Sequence, residues 1–437
     1  MSIFLNNNYA KLTSQKILDE MDTWKNLIEN KKDIDINSII DKYKLYIYNY
    51  LGVASNKYEI FITNGYKSYN LIYNLIPLYY NTKIHIILSN TEDTITSSYY
   101  KTLLNNKLID VTVLNPNKYG DTTIENIKNA TKKNTKFIIM PYSNKELGSI
   151  NNIKDIYAHC KSNEIILFSN INYLFGYNIS MKSINNVDMI FTTFDNIYGP
   201  SNISILLIKK KLINENINQY IIKSNYILNK SKDLPIISGS LHSLLNILKK
   251  RDENNNKIKT LKYYFIDKLH QILPVLKYTE YNTIYTPSII KLTIVIINDN
   301  YIDKTNTILL SIFSNKIKIN NNYIKKYLDK NNIIINDLSP HIINNIEYDT
   351  KIKNGLISLS FGDHNKQTDI NNILKFLIEA ISLQYNDIYK EIKDNMIIYK
   401  KLNQKKIKKV VRFSNPLCIG SNTKIHNCPK MKSILII

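Results

Sequence analysis

The sequence predicts an α/β fold, with a larger unit built on a mostly parallel sheet followed by a smaller α+β unit. Three observations predict it. Up to about residue 210, short β-rich apolar runs alternate with helical patterns, the pitch of a sheet covered on both faces. From about 240 to 385 the pattern shifts to a long helix, separated strands and a closing helix. With 437 residues, 44% of them hydrophobic, the chain has room for two cores.

Taken in order, Ile17, Leu18, Met21, Trp24 and Ile28 recur at helical spacing near the start. Strand-like runs follow at 59–63, 84–88, 111–114, 136–140, 165–168 and 189–193, where β-branched and aromatic residues cluster between polar turns. Helical stretches at 66–75, 123–130 and 153–160 lie between them. The run 203–208 follows closely on another strand and suits an antiparallel member. The second unit reads as a helix at 241–273, a strand at 289–297, a helix near 305–313, a strand at 356–361 and a final helix at 369–383. After about residue 395 periodicity dissolves, and residues 400–412 carry seven positive charges. The expected division is 1–245, 246–390 and a basic, flexible tail at 391–437, with the N-terminal segment free to pack on the smaller unit.

Composition excludes several classes. No run approaches twenty apolar residues, so no membrane span is expected. The opening MSIFLNNNYA lacks the basic and long apolar regions of a secretion signal, and three cysteines cannot build a disulfide framework. The expected location is cytoplasmic or nuclear. Formal charge is +22, yet of 58 Lys+Arg only Arg251 and Arg412 are arginine. The rest is lysine among abundant Asn, Ile and Tyr, all with A/T-rich codons, as in the genome of a large DNA virus or a protist. Codon bias explains much of the charge. A lysine surface still attracts polyanions, although no RNA-binding or zinc-finger motif accompanies it. Scarce arginine matters more, because bidentate clamps on carboxylates and phosphates rely on it.

Four motifs carry a resemblance: LNNNYA at 5–10, NKELG at 144–148 after the run FIIM, IYGP at 197–200 between β runs, and ISLSFG at 357–362 before the last helix. In order and spacing they resemble the cysteine desulfurases of the NifS/IscS type, in the class V aminotransferase branch of pyridoxal-phosphate (PLP) proteins. Eight of the ten glycines fall where that pattern has glycine: Gly52, Gly65, Gly120, Gly148, Gly176, Gly199, Gly239 and Gly362. The resemblance covers about residues 3–385. It implies a type I PLP-dependent transferase-like fold, with a mainly parallel seven-stranded sheet in the large domain, and a homodimer.

The chemistry that the resemblance would carry is missing. The lysine that anchors PLP aligns with Asn196, in TFDNIYGP; an amide is neither a nucleophile nor a base near neutral pH. The carboxylate under the pyridinium nitrogen aligns with Asn170, and the histidine stacked on the ring aligns with Asp93. The glutamine beside the ring oxygen aligns with Tyr173. The substrate-clamping arginine aligns with Ser358, and a second arginine with Ile237 before Ser238, Gly239 and Ser240. No cysteine occurs between about 300 and 345, where the persulfide-forming residue belongs; Cys160 reads as a buried helix residue. The phosphate cradle corresponds to Thr63, Asn64, Gly65 and Tyr66, at a helix start that favours an anion. These four and Asn144 are the vestigial cofactor-binding residues.

In the tail, KKVVRFS at 408–414 places Val411, Arg412 and Phe413 in a pattern that looks like the docking motif for type-1 protein phosphatase. A solvated basic tail is the plainer reading, and a nuclear-import patch another. Cys418, His426 and Cys428 have irregular spacing for a metal, and none is expected. His242 and His364 lack an acid or nucleophile partner in sequence. The expectation is a catalytically inactive NifS-like scaffold or binding protein that needs no cofactor. The alternatives are a divergent PLP enzyme using Lys145 or Lys67, or a lysine-rich nucleic-acid binder.

Overall fold

The computed structural model describes residues 3–6, 13–30, 34–65, 69–80, 82–92, 109–176, 184–224, 227–272, 275–277, 292–301, 303–314 and 319–384. Asp93, Tyr66, Lys67, Val411, Arg412, Phe413, Cys418, His426 and Cys428 lie outside these residues.

Seven strands form the larger sheet: β2 (Tyr58–Thr63), β3 (Ile84–Ser89), β4 (Ile109–Leu114), β5 (Thr135–Pro141), β6 (Ile166–Asn170), β7 (Met189–Thr193) and β8 (Ser204–Lys209). Their order is β2-β8-β7-β6-β5-β3-β4. β8 pairs antiparallel with both neighbours, and the remaining pairs are parallel. The expected seven-stranded, mainly parallel sheet with an antiparallel member is therefore present. Its strands read as continuous apolar runs because both faces are covered. Ile138 and Met140 point into one core with Tyr43, Ile47, Ile156 and Leu244. Their neighbours Phe137 and Ile139 enter another with Leu71, Ile72, Ile217 and Ile221. The helices responsible are α2 (Ile36–Leu51), α3 (Tyr69–Tyr79), α4 (Ile124–Ala130), α5 (Ile153–Ser162) and α6 (Glu215–Lys223), while α1 (Gln15–Glu29) contributes no residue to either core.

Helix α7 (Leu234–Ile272) begins seven positions earlier than its spacing suggested. It takes in Gly239, whose missing Cβ makes room for Met21 of α1: a Cβ there would stand 2.7 Å from Met21 Cγ. Early in α7, Ile237 and Leu244 belong to the large-sheet core. Later, Ile258, Leu261 and Phe265 belong to the core of the smaller unit.

That smaller unit holds β9 (Val275–Lys277), β10 (Leu292–Ile296), β11 (Thr307–Ser314) and β13 (Leu356–Ser360), in the order β13-β11-β10-β9. Helices α8 (Asn321–Lys330), α9 (Pro340–Asn345), α10 (Thr350–Asn354) and α11 (Gln367–Gln384) complete it. A separate parallel pair joins β1 (Ile3–Leu5) to β12 (Ile333–Ile335). The helix expected near 305–313 is in fact strand β11. Ile308, Leu310 and Ile312 enter one core while Leu309 enters another on the opposite face. A strand buried on both faces shows no alternation, so its run reads equally well as a buried helix. Among the described residues no helix is long and apolar enough to cross a membrane.

Candidate functional site

The C-terminal ends of the parallel strands, the ligand-bearing edge of an open α/β sheet, bring several of the expected site residues together. Asn170 closes β6, Asn144 follows β5, and Asn196 lies in a 3₁₀ turn (Asp195–Ile197) directly after β7. All three are buried. Tyr198 ends that turn at φ +63°, a left-handed conformation uncommon for tyrosine. The turn packs tightly, since a Cβ on Gly199 would come within 2.7 Å of Ser243 Oγ.

Asn172 is the hub of this edge. Its backbone N–H donates to Asn170 Oδ1 at 3.0 Å, and its carbonyl accepts from Asn196 Nδ2 at 3.0 Å. Its own Oδ1 accepts from Thr193 N and Oγ1, at 3.1 and 2.6 Å. Thr193 Oγ1 also reaches the buried Asp195 carboxylate, which accepts from Asn196 N at 3.1 Å. Sequence reasoning missed Asn172, because one more asparagine in an asparagine-rich chain carries no signal. Its position two residues after Asn170, in a turn leaving a strand, was the only hint.

Tyr173 is buried in the same turn as Asn172, with Lys145 Nζ 5.4 Å from its ring centroid. Asn144 is occupied structurally: Nδ2 donates to Thr91 O at 2.7 Å, while Oδ1 accepts from Glu146 N and Leu147 N. This asparagine shapes the NKELG turn, which then inserts into the smaller unit. Leu147 joins that unit's second core. The Glu146 carboxylate accepts from Ser339 N and Oγ, both at 2.6 Å, and its carbonyl accepts from Ser358 Oγ at 2.6 Å. Ser358 Oγ in turn accepts from Asn336 Nδ2. At the position where the resemblance implies a substrate clamp, a hydroxyl thus fastens the chain to itself.

The expected phosphate cradle is similarly committed. Thr63 Oγ1 lies 2.7 Å from Ser204 Oγ, across the β2–β8 pair, and Ser204 also donates to Gly65 O. Gly65 has φ +54° and sits against Ser201 and Asn202 backbone atoms, so a side chain there would be strained. Asn64 is half-buried. Ile237 and Ser240 lie within α7, where Ser240 Oγ donates to Tyr43 OH. Cys160 is fully buried on α5, and burial pushes its thiol well above the ordinary range, the opposite of a reactive cysteine. His364 sits near Asp363, 44% exposed in its side chain.

These side chains do not fit a PLP held through a lysine. The residue after β7 is an amide engaged with a backbone carbonyl, and Thr63 is tied to Ser204. The free end of Asn170 is a donor, which cannot pair with a protonated ring nitrogen. Among the described residues no group of histidine, cysteine and carboxylate side chains could hold a metal.

Comparison with known proteins bears on the lineage. The aminotransferase class-V family model matches residues 22–231. Cysteine desulfurase IscS of Buchnera aphidicola is 32% identical over 160 residues, 36% of this chain and 39% of the relative. IscS of Plasmodium falciparum is 31% identical over 178 residues, 40% of this chain and 32% of the relative. The chain thus matches about two fifths or less of these relatives' own length. A solved NifS-like protein superposes with a TM-score of 0.71 at 18% identity, covering 88% of this chain and all of that one. A NifS-like protein from Rickettsia africae gives 0.66 at 19% identity, with 88% of this chain covered. At such identity the structures speak for the fold. Family model, relatives and fold agree in likening this chain to the class V aminotransferases of the NifS/IscS type.

Proposed function

We propose that this chain is a NifS-like protein without PLP catalysis, retained as a scaffold or binding protein. Asn196 carries the reading. It occupies the family's anchoring position, is 3% exposed, and donates its side-chain amide nitrogen to Asn172 O. That group can neither attack an aldehyde nor accept a substrate proton. The committed Thr63 and Ser358 support the same conclusion from the cofactor and substrate sides. A homodimer is part of the proposal, as is recruitment of type-1 protein phosphatase through the segment around Val411, Arg412 and Phe413.

The deciding experiment is an absorption spectrum of purified protein with PLP, before and after borohydride, followed by peptide mapping. The expected result is the spectrum of free PLP with no label fixed to the chain. Stoichiometric label on a lysine at this strand edge overturns the reading.

One observation favours a second reading, a divergent enzyme with a relocated amine. Lys145 stands over the Tyr173 ring beside the same strand ends, so label mapped to Lys145 would establish it. Exposed lysines such as Lys25, Lys128, Lys161, Lys259, Lys326 and Lys351 occur across both units.

A further inference from the structure

Glu146 and Ser339 fasten the larger unit to the smaller one at two points. Oε2 of Glu146 accepts from Ser339 N–H and Oε1 accepts from the Ser339 hydroxyl, each at 2.6 Å. Glu146 is 3% exposed, so its charge is held almost entirely out of water. Charge-assisted bonds of that length are strong, and the second exists only while the hydroxyl keeps its proton. The contact also sets packing. Ile342, three residues after Ser339, shares a core with Leu147, the residue after Glu146. Losing the Ser339 contact therefore loosens α9 and the NKELG turn together.

The hydroxyl lies in a sequence context that modifying enzymes read. Of the ten prolines in the chain, Pro340 alone follows a serine. Thr286 precedes Pro287, outside the described residues. Proline next to the acceptor is what proline-directed serine/threonine kinases select, because its ring fills an apolar pocket beside the reacting hydroxyl. Proline also biases the residue before it to an extended backbone, and Ser339 is extended at φ −66°, ψ 132°. The flanks are on the surface. Pro340 is exposed, and Asp337 keeps 61% of its side chain in solvent while pairing with Lys325. Ser339 itself is half-buried, so a local opening of this segment presents its hydroxyl.

We infer that Ser339 is a phosphorylation site for a proline-directed kinase, and that its phosphate unlatches the NKELG turn from the smaller unit. In the transfer, Ser339 Oγ bonds to the γ-phosphorus of a nucleoside triphosphate. The bond from that phosphorus to the bridging oxygen breaks, nucleoside diphosphate leaves, and the hydroxyl proton passes to the kinase's base. The product carries about two negative charges at pH 7, and its ester oxygen has no proton to donate. Against a buried carboxylate, that change turns attraction into repulsion. The inference goes beyond the inactive reading and does not depend on it.

Full-length protein incubated with a cyclin-dependent-type kinase and Mg-ATP tests it, by peptide mass mapping and thermal unfolding, with the kinase's own peptide substrate as the control of its activity. The expected result is phosphate on Ser339 and a midpoint lowered by at least about 4 °C. Pro340→Ala removes an exposed ring, and should cut incorporation at Ser339 at least about tenfold. Ser339→Ala loses one hydrogen bond and gains no charge, so its midpoint should fall by less than that of the phosphorylated protein. In Glu146→Gln the repelling carboxylate is gone, and the midpoint shift on phosphorylation should shrink at least about twofold. An unmodified Ser339, whether or not other positions take label, overturns the inference. So does a phosphorylated Ser339 with an unchanged midpoint, or a shift of equal size in Glu146→Gln.

Discussion

Lys262 is a lysine inside the protein, 2% exposed on α7, with Nζ donating to the Thr305 carbonyl. Burial pulls its ammonium down to about 7, with Lys259 adding to the effect and Asp303 opposing it. Between about pH 7 and the ordinary lysine value of 10.5, the unfolded chain holds a proton that the folded chain lacks. Stability should therefore rise with pH across that window, by up to about 1.4 kcal/mol per pH unit from this residue. Lys262→Met should flatten the slope and stabilise the protein by about 1–3 kcal/mol at pH 6, read by urea melts at several pH values. A variant no more stable at pH 6 and with an unchanged slope would mean that the ammonium is well accommodated. Single residues were unevenly legible. Asn196 and Ser358 stood out because motifs framed them. Lys262 did not, since one lysine among dozens carries no mark of its surroundings.

At the scale of elements, the NKELG turn joins the two sheets. Gly148 has φ +62°, and a Cβ there would meet Asn298 Nδ2 at 2.5 Å and Thr307 Cβ at 2.7 Å. Its carbonyl accepts from Thr305 Oγ1 at 3.3 Å, so turn and smaller unit are in direct contact. Gly148→Ala should cost at least about 1–3 kcal/mol through strain and forced separation. Thermal unfolding would show it, and an unchanged midpoint would place the turn outside the cooperative structure. The motif itself was plain in the sequence, but its insertion was not. Leu147 looked like one more apolar residue, because nothing local announces that its core lies in another unit. The same limit applies to β11, whose two buried faces erase the period that distinguishes strand from helix. Where only one periodicity fits, as in α1 or α5, element type was legible and only the ends shifted by one or two positions.

For the whole molecule, the order of strands and helices over the first 210 residues was enough to give a mainly parallel sheet, and the family resemblance supplied its seven members. The pairing of β1 with β12 was beyond reach, since a three-residue strand has no pattern of its own. Phosphatase recruitment belongs to this scale, because it concerns the tail and the body together. Full-length protein should retain type-1 phosphatase on an affinity column, and joint Val411→Ala and Phe413→Ala substitution should lower retention at least about tenfold. Equal retention would leave the tail as a basic segment with no such partner.

The pairing of Ile3 with Ile333 also has a consequence for biosynthesis. Leu5 is fully buried in the core that Ile333, Ile335 and Phe361 help to build. At about 5–20 residues per second, the ribosome adds the intervening stretch in roughly half a minute. For that time the first strand has left the tunnel with its template not yet made. An exposed apolar strand in that state is what nascent-chain chaperones bind. The final docking of β1 therefore closes the smaller unit late, with a strand made long before its partner.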